Sequence, residues 1–331
     1  MARHHESPTR RSVLTHAAAS AAVIASTAAL AQPAPAGRER GPPVWLDMDQ
    51  EALDNAYDQA VYAPNREQVH HRRLFNCARA RTALGEPLRL AYGPTEWEKL
   101  DIYRCKHANA PVNVYVHGGA WRNGRSAEFA FLAELFVNAG AHSVILDFNN
   151  IDEVDGNLMT MATQVRRAIA WVYRHAAEFG GDPNRLYVSG HSSGGHLSSC
   201  AATCDWERDF GLPKDIIKGG LHASGMYDLK AVRLSKRSKY VAFTDEIEEE
   251  LSPQRHLDRL HCPVIIAHGT LETPEFQRQA RDMAAALQAA GKPVTFLVGE
   301  GYNHFEIPET FANPYGLLGR AVLEQMRLGH A

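Results

Sequence analysis

Gly190-His191-Ser192-Ser193-Gly194-Gly195 follows the apolar run Leu186-Tyr187-Val188-Ser189 and precedes a stretch of small residues. A serine between a strand and a helix, with glycines around it, sits on a tight turn where neighbouring side chains would clash, and its hydroxyl projects outward. The following helix directs its N-terminal dipole toward negative charge developing at the serine. The chemistry this implies is nucleophilic attack by Ser192 on a carbonyl. Serine at its ordinary pKa is a weak nucleophile, so it needs a base within hydrogen-bond reach and a third group to fix the base's tautomer. Of 17 histidines, His304 in Gly301-Tyr302-Asn303-His304-Phe305 follows the last apolar run and can hang over the serine. His191 and His196 flank the turn, His117 precedes a glycine pair, and His222 and His268 lie at strand ends, where structural roles suffice. Two acids compete for the third place. Glu272 follows the run Val264-Ala267, and Asp228, in Gly225-Met226-Tyr227-Asp228-Leu229, follows another run but also suits a cap for the turn that begins at Leu229.

A second motif, His117-Gly118-Gly119-Ala120-Trp121, ends the run Val112-Val116. Its glycines let backbone N–H groups approach a ligand closely. In acyl transfer the carbonyl oxygen becomes an oxyanion, and each donor preorganised for it is worth roughly 3 to 4 kcal/mol. Gly118 and Gly119, with the N–H of Ser193, are the expected donors.

These residues need a frame that brings distant loops to one edge. Apolar runs rich in β-branched residues occur at Val112-Val116, Ser143-Phe148, Leu186-Ser189, Gly220-Ser224, Pro263-Ala267 and Val294-Val298, each followed by a turn or helical stretch. Such alternation predicts an α/β fold with a mostly parallel central sheet and helices on both faces. A helix is predicted over Thr160-Phe179, where Met161, Val165, Ala168, Val172 and Ala176 recur at helical spacing before Gly180-Gly181. Asp182-Pro183-Asn184 is read as the turn into the next strand, and the acidic stretch Asp245-Glu250 as a solvated surface turn. Leu46 to Arg81 is amphipathic and lacks glycine, so short helices are expected there, lying against the core as a cap over the active site.

The first 31 residues read as an export signal: Arg10-Arg11, then an Ala-rich apolar stretch from Ala17 to Leu30, then Ala29-Leu30-Ala31 as a cleavage site. The paired arginines after Thr9 look like a twin-arginine signal. The stretch is too short to span a bilayer comfortably, so no stable membrane insertion is expected after cleavage, and the mature protein is placed in the periplasm or outside. Residues 32–43 form a Pro-rich linker, and residues 44–331 a single domain with 44–81 as its cap. A formal net charge of -3 supplies no basic field for nucleic acid or an anionic membrane. A small molecule is the expected partner, and a homodimer is compatible with this composition. Five cysteines, Cys77, Cys105, Cys200, Cys204 and Cys262, leave at least one unpaired. Cys200 and Cys204 read as small hydrophobes on a buried helix, with no metal site.

With these motifs in hand, the sequence resembles the hormone-sensitive-lipase-like esterases of the α/β-hydrolase superfamily, and within them the kynurenine formamidase (arylformamidase) branch. The resemblance runs from about Leu46 to Leu323. It rests on Ala56-Tyr57-Asp58-Gln59, the His117-Trp121 loop, Phe179-Gly180-Gly181-Asp182-Pro183, Glu272-Thr273-Pro274-Glu275-Phe276-Gln277-Arg278-Gln279 and Asn303-His304-Phe305-Glu306-Ile307. It selects Glu272 over Asp228 as the acid, although the animal enzymes of the branch carry Asp there. Glu275 and Glu306 then become supporting carboxylates or ordinary surface ones. The resemblance implies an α/β-hydrolase fold and hydrolysis of a small ester or aryl formamide through an acyl-enzyme, with no metal or organic cofactor. Trp121, Asn149, Asn150 and His191 are the expected pocket residues. Because kynurenine breakdown belongs in the cytoplasm, export favours a carboxylesterase, with arylformamidase or aryl-amide hydrolase second. A non-catalytic ligand-binding homologue stands as the remote alternative, since some proteins of this fold have lost a triad member.

Overall fold

The computed structural model describes residue 1 and residues 40–329. The export-signal reading and most of the linker reading lie outside the described residues. From Gly41 onward the chain forms one compact unit.

Its centre is one eight-stranded sheet. The strands are β1 (Leu88–Ala91), β2 (Lys99–Tyr103), β3 (Ala110–Val116), β4 (His142–Leu146), β5 (Gly181–His191), β6 (Ile217–Ala223), β7 (Val264–Gly269) and β8 (Val294–Gly299). They lie in the order β1-β2-β4-β3-β5-β6-β7-β8. Strands β3 to β8 are mutually parallel, and β1 and β2 run antiparallel at one edge. The six apolar runs of the sequence are β3 to β8. Parallel strands covered on both faces need apolar residues at nearly every position, and β3, β4 and β7 are buried throughout.

β1 and β2 were not expected, because both are short and carry charge where alternation would be read. The charge has a partner: Arg89 on β1 reaches Asp101 of β2 at 2.7 Å and Asp147, just past β4, at 2.6 Å. The expected turn at Asp182-Pro183-Asn184 lies inside β5 instead of before it. The register against β3 jumps from Ala110↔Gly181 to Val112↔Leu186, and Asp182 Oδ1 accepts the Asn184 N–H at 2.8 Å, so the turn survives as a bulge.

The helices are α1 (Gln50–Ala56), α2 (Arg66–Leu84), α3 (Ala133–Asn138), α4 (Leu158–His175), α5 (Ser193–Ala202), α6 (Trp206–Phe210), α7 (Lys230–Leu234), α8 (Asp245–Glu250), α9 (Pro274–Ala289) and α10 (Leu317–Gln325). In α4 the Asn157 side chain accepts the Thr160 N–H, and the stripe Met161, Val165, Ala168, Ile169 and Val172 is buried. It is followed by a 3-10 turn at Ala176–Phe179, at whose last residue the expected helix also ends. The acidic stretch expected as a turn is α8. Thr244 caps it by accepting the Ile247 N–H, and acids in its first turn favour the helix dipole.

Side chains alternate across each strand. Val112, Val114 and Val116 of β3 therefore join one core, with α4, α5 and α9, while Tyr115 joins a second core with α3 and α10. Two histidines sit neutral inside these layers. Burial pushes His222 down to about 3 and His196 to about 4. Both folded values lie below the unfolded one near 6.5, so the unfolded chain binds more protons between those limits, and stability must fall as pH drops through that window. We expect each histidine to contribute a slope of about 1.4 kcal/mol per pH unit near pH 5. Chemical denaturation at pH 7 and pH 5 tests this, with His222→Gln expected to flatten the dependence. At the sheet edge, Arg89→Met strands two buried carboxylates and should cost about 3 kcal/mol by the same measurement.

Candidate active site

Every residue singled out for chemistry lies at the C-terminal edge of the parallel strands, where open α/β sheets place their sites. Ser192 follows β5 directly and caps α5, with φ 60° and ψ -129°. A non-glycine residue rarely adopts that conformation, and it persists only where surroundings hold it. Here they do: a side chain at Gly194 would run into the Val116 and His117 carbonyl oxygens, so the first turn of α5 is pressed against the end of β3. The Ser192 N–H donates to the Ala223 carbonyl at 3.0 Å, fastening the turn to β6 as well.

His304 Nε2 lies 2.8 Å from Ser192 Oγ, and its Nδ1 lies 2.9 Å from Glu272 Oε2. That arrangement carries the proton on Nδ1 and leaves Nε2 to accept from the serine. Glu272 is 1 % exposed, so its charge must be met by donors. Oε1 accepts from Ser224 Oγ at 2.6 Å and from the Gly269 N–H at 2.8 Å, and Oε2 also accepts from Gln59 Nε2 at 3.4 Å. The structure thus puts Glu272, and not Asp228, on the imidazole. Asp228 accepts the Lys230 N–H and pairs with Arg255 at 3.0 Å, a cap and an ion pair.

The His117–Trp121 loop stands beside the serine. A side chain at Gly118 would come within 2.8 Å of the His191 carbonyl and 3.0 Å of Ser192 Cβ. Gly119 has φ 129° and faces the Asn123 carbonyl, so a side chain has neither the conformation nor the space there. Ala120 and Trp121 are left-handed too, and the Trp121 N–H donates to Ser193 Oγ at 3.1 Å, tying the loop to the serine turn. Among the described residues the N–H groups of Gly118 and Gly119 donate to no protein acceptor. His117 braces the loop: Nδ1 meets the Gly118 carbonyl at 2.9 Å, and the ring is stacked between Phe129 and Phe148.

Of the expected pocket residues, Trp121 and His191 adjoin this centre. The His191 ring lies 4.5 Å from that of His304, and burial, then the neighbouring His304, hold its pKa well below the usual range. Asn149 turns its carboxamide elsewhere, accepting from Gln164 at 2.8 Å and Thr95 at 3.0 Å. The Asn150 N–H donates to Glu153 at 2.7 Å, and no hydrogen bond joins either asparagine to Ser192 or His304 among the described residues.

Several contributors were not read from the sequence as such. Ser224 and Gln59 hold the acid. Tyr57 Oη donates to Glu275 at 3.0 Å, and Arg278 grips the same buried carboxylate through Nε and Nη2. Glu306 accepts from Asn65 at 2.6 Å and from the Asn303 N–H at 3.1 Å, steadying the histidine loop. The N-terminal segment therefore stands behind the acid and histidine loops. The one available signal was the stretch Ala56-Tyr57-Asp58-Gln59, whose Asp58 pairs with Lys236 at 2.6 Å. All five cysteines are free and buried. Among the described residues no group of three or more His, Cys, Asp or Glu side chains is placed to hold a metal ion, and no helix is long and apolar enough to cross a membrane.

Comparison with known proteins adds relatives to this geometry. The BD-FAE family model matches residues 100–287. A kynurenine formamidase from Danio rerio is 30 % identical over 295 residues, covering 85 % of this chain and 98 % of that protein. The esterase LipC of Mycobacterium tuberculosis is 28 % identical over 65 % of this chain and 59 % of its own length. Among solved structures, a thermophilic esterase from Thermogutta terrifontis with propionate bound superposes with a TM-score of 0.62 at 22 % identity, over 75 % of this chain and 97 % of that one, a likeness of fold.

The arrangement can move a proton from Ser192 to His304 as the hydroxyl attacks. If Ser224 serves by holding Glu272 against His304, Ser224→Ala should slow labelling of Ser192 by a fluorophosphonate about tenfold, the loss expected for one hydrogen bond to a charged acceptor. Second-order labelling rates of the two proteins check this.

Proposed function

The chain belongs to the BD-FAE family of α/β-hydrolases, near the kynurenine formamidase branch, and from that premise we propose that it is a serine hydrolase of small carboxylic esters acting through an acyl-enzyme. The observation that carries the reading is the continuous chain Ser192 Oγ, His304, Glu272, closed at 2.8 Å and 2.9 Å.

In this reading His304 Nε2 takes the Ser192 proton as Oγ attacks the substrate carbonyl. The Glu272 carboxylate keeps the imidazole in the required tautomer and stabilises the imidazolium that forms. The N–H groups of Gly118, Gly119 and Ser193 receive the oxyanion, and being fixed by the turn they need no rearrangement as charge develops. His304 then returns the proton to the leaving alcohol, activates a water molecule on the acyl-serine, and the acid is released. His191, kept neutral beside His304, adds no like charge to the imidazolium.

A second reading, hydrolysis of an aryl formamide, is favoured by one specific observation: a relative matched over nearly its whole length is a kynurenine formamidase. The same machinery serves both reactions, and the acyl pocket and leaving group separate them. We rank the ester first because we also read residues 1–31 as a twin-arginine export signal, which would take the enzyme away from cytoplasmic tryptophan breakdown. Fractionation of expressing cells should find the mature protein outside the cytoplasm, and Arg10→Lys/Arg11→Lys should retain it in the cytoplasm.

Side-by-side kcat/KM on phenyl acetate and N-formylkynurenine tests the function. The ester is expected to be the better substrate, and Ser192→Ala should lose about 10⁴-fold or more while remaining folded. Preference for the formamide would install the second reading, and undiminished turnover by Ser192→Ala would remove both.

A further inference from the structure

At the edge of the sheet opposite Ser192, where the parallel strands begin, lies a cavity of about 550 Å³ that no catalytic residue lines. Its size falls within the range of small-molecule sites. His142 at the start of β4 and Gly180 just before β5 border it. Leu84 at the end of α2, Leu88 on β1, Val137 on α3 and the Phe179 ring give it apolar surface. Ser192 stands beyond the far end of β5, about 20 Å away along the strand direction.

The polar lining is unbalanced in charge. Arg104 and Lys106, exposed on either side of the buried Cys105, both line the cavity, and among the described residues neither side chain makes an ion pair or a hydrogen bond. Glu86 is the one acid there, so two cations face one carboxylate. Further in, His142 is 1 % exposed. Its Nδ1 accepts the Cys105 N–H at 3.1 Å, which leaves the ring proton of the neutral imidazole on Nε2. Burial lowers its pKa, opposed by the nearby Gly180 backbone and aided by the Arg104 charge, so the ring is neutral at pH 7. That Nε2–H has no partner, and the Gly180 carbonyl beside it is engaged by the Ala110 N–H at 3.1 Å. Buried donors are rarely left unmet. The cavity thus joins two unpaired cations at an exposed rim, an unmet donor at its buried end and an apolar wall between them. An oxyanion on an apolar body meets all three.

We propose that this cavity is a second ligand site, separate from the catalytic centre, for a small amphipathic anion whose head pairs with Arg104 and Lys106 and whose apolar body packs on Leu84, Leu88 and Val137. His142 supplies a third, uncharged donor to the same ligand. The site goes beyond the hydrolase reading and does not depend on it, because it shares no residue with the Ser192, His304 and Glu272 chain.

Calorimetric titration of the whole protein with naphthalene-2-sulfonate, against neutral naphthalene-2-sulfonamide and against inorganic sulfate, tests the site. The sulfonate should bind about tenfold or more tighter than either control, the margin expected for one charge-assisted hydrogen bond and for the buried apolar body. Arg104→Gln/Lys106→Gln should weaken the sulfonate about tenfold while leaving the sulfonamide within about twofold. Both side chains are exposed, so the double variant should keep the thermal unfolding midpoint of the wild type and its kcat/KM on phenyl acetate within about twofold. No binding of the sulfonate by the wild type, equal binding of the sulfonamide, or undiminished binding by the double variant would each overturn the site. Sulfate binding as tightly as the sulfonate would overturn the amphipathic ligand class. A wild type that binds the sulfonate as described but never turns over an ester or a formamide would sink the hydrolase reading alone.

Discussion

The backbone at Ser192 is held where a side-chain-bearing residue rests only under constraint. Its φ of 60° is sustained because the first turn of α5 is wedged between the ends of β3 and β6 with no space for a side chain at position 194. Everything else about the centre follows from that wedge. It aims Oγ out of the sheet edge, sets the Ser193 N–H at a helix start, and brings Gly118 against the serine. Parallel strands make this convergence available, because every crossover returns the chain to start the next strand and so leaves β3, β5, β6, β7 and β8 ending on one side.

The second requirement is a buried carboxylate whose oxygens are met by hydrogen-bond donors. Glu272 is covered by protein, and a carboxylate so placed is tolerated only where donors surround it. Ser224 at the end of β6, Gly269 at the end of β7 and His304 after β8 supply three of them, so three strand ends meet on one side chain. Gln59 supplies a fourth from a segment 213 residues away. That contact gives the N-terminal helices a reason to be where they are. With Tyr57 on Glu275 and Asn65 on Glu306, they brace the loops that carry the acid and the base.

The parts legible in the sequence were those with local signatures. The serine turn, the glycine pair and six parallel strands each announce themselves within about ten residues, by glycine placement or by unbroken apolar runs. Spacing alone left Glu272 and Asp228 undecided, since each follows a strand end. What separates them in the structure is register: the β7 loop turns Glu272 inward onto His304 Nδ1, whereas Asp228 faces Arg255. Features built from distant partners were not legible. β1 and β2 depend on Arg89 meeting Asp101 and Asp147, α8 gains partners for Glu248 and Glu250 from Arg233, Arg255, Arg166 and Arg259, and Ser224 acquires meaning only beside Glu272. The partners of Asn149 were hidden in the same way, since Gln164 on α4 donates to its Oδ1.

The central claim is that Ser192 is acylated during turnover by the relay through His304 and Glu272. Rapid quenching of the protein during phenyl acetate hydrolysis, followed by peptide mapping by mass spectrometry, tests it most directly. The account requires an acetyl group on Ser192 that forms and decays at rates consistent with turnover and is missing in Ser192→Ala. Steady turnover with no acyl-protein, or with the acetyl group on another residue, would contradict it.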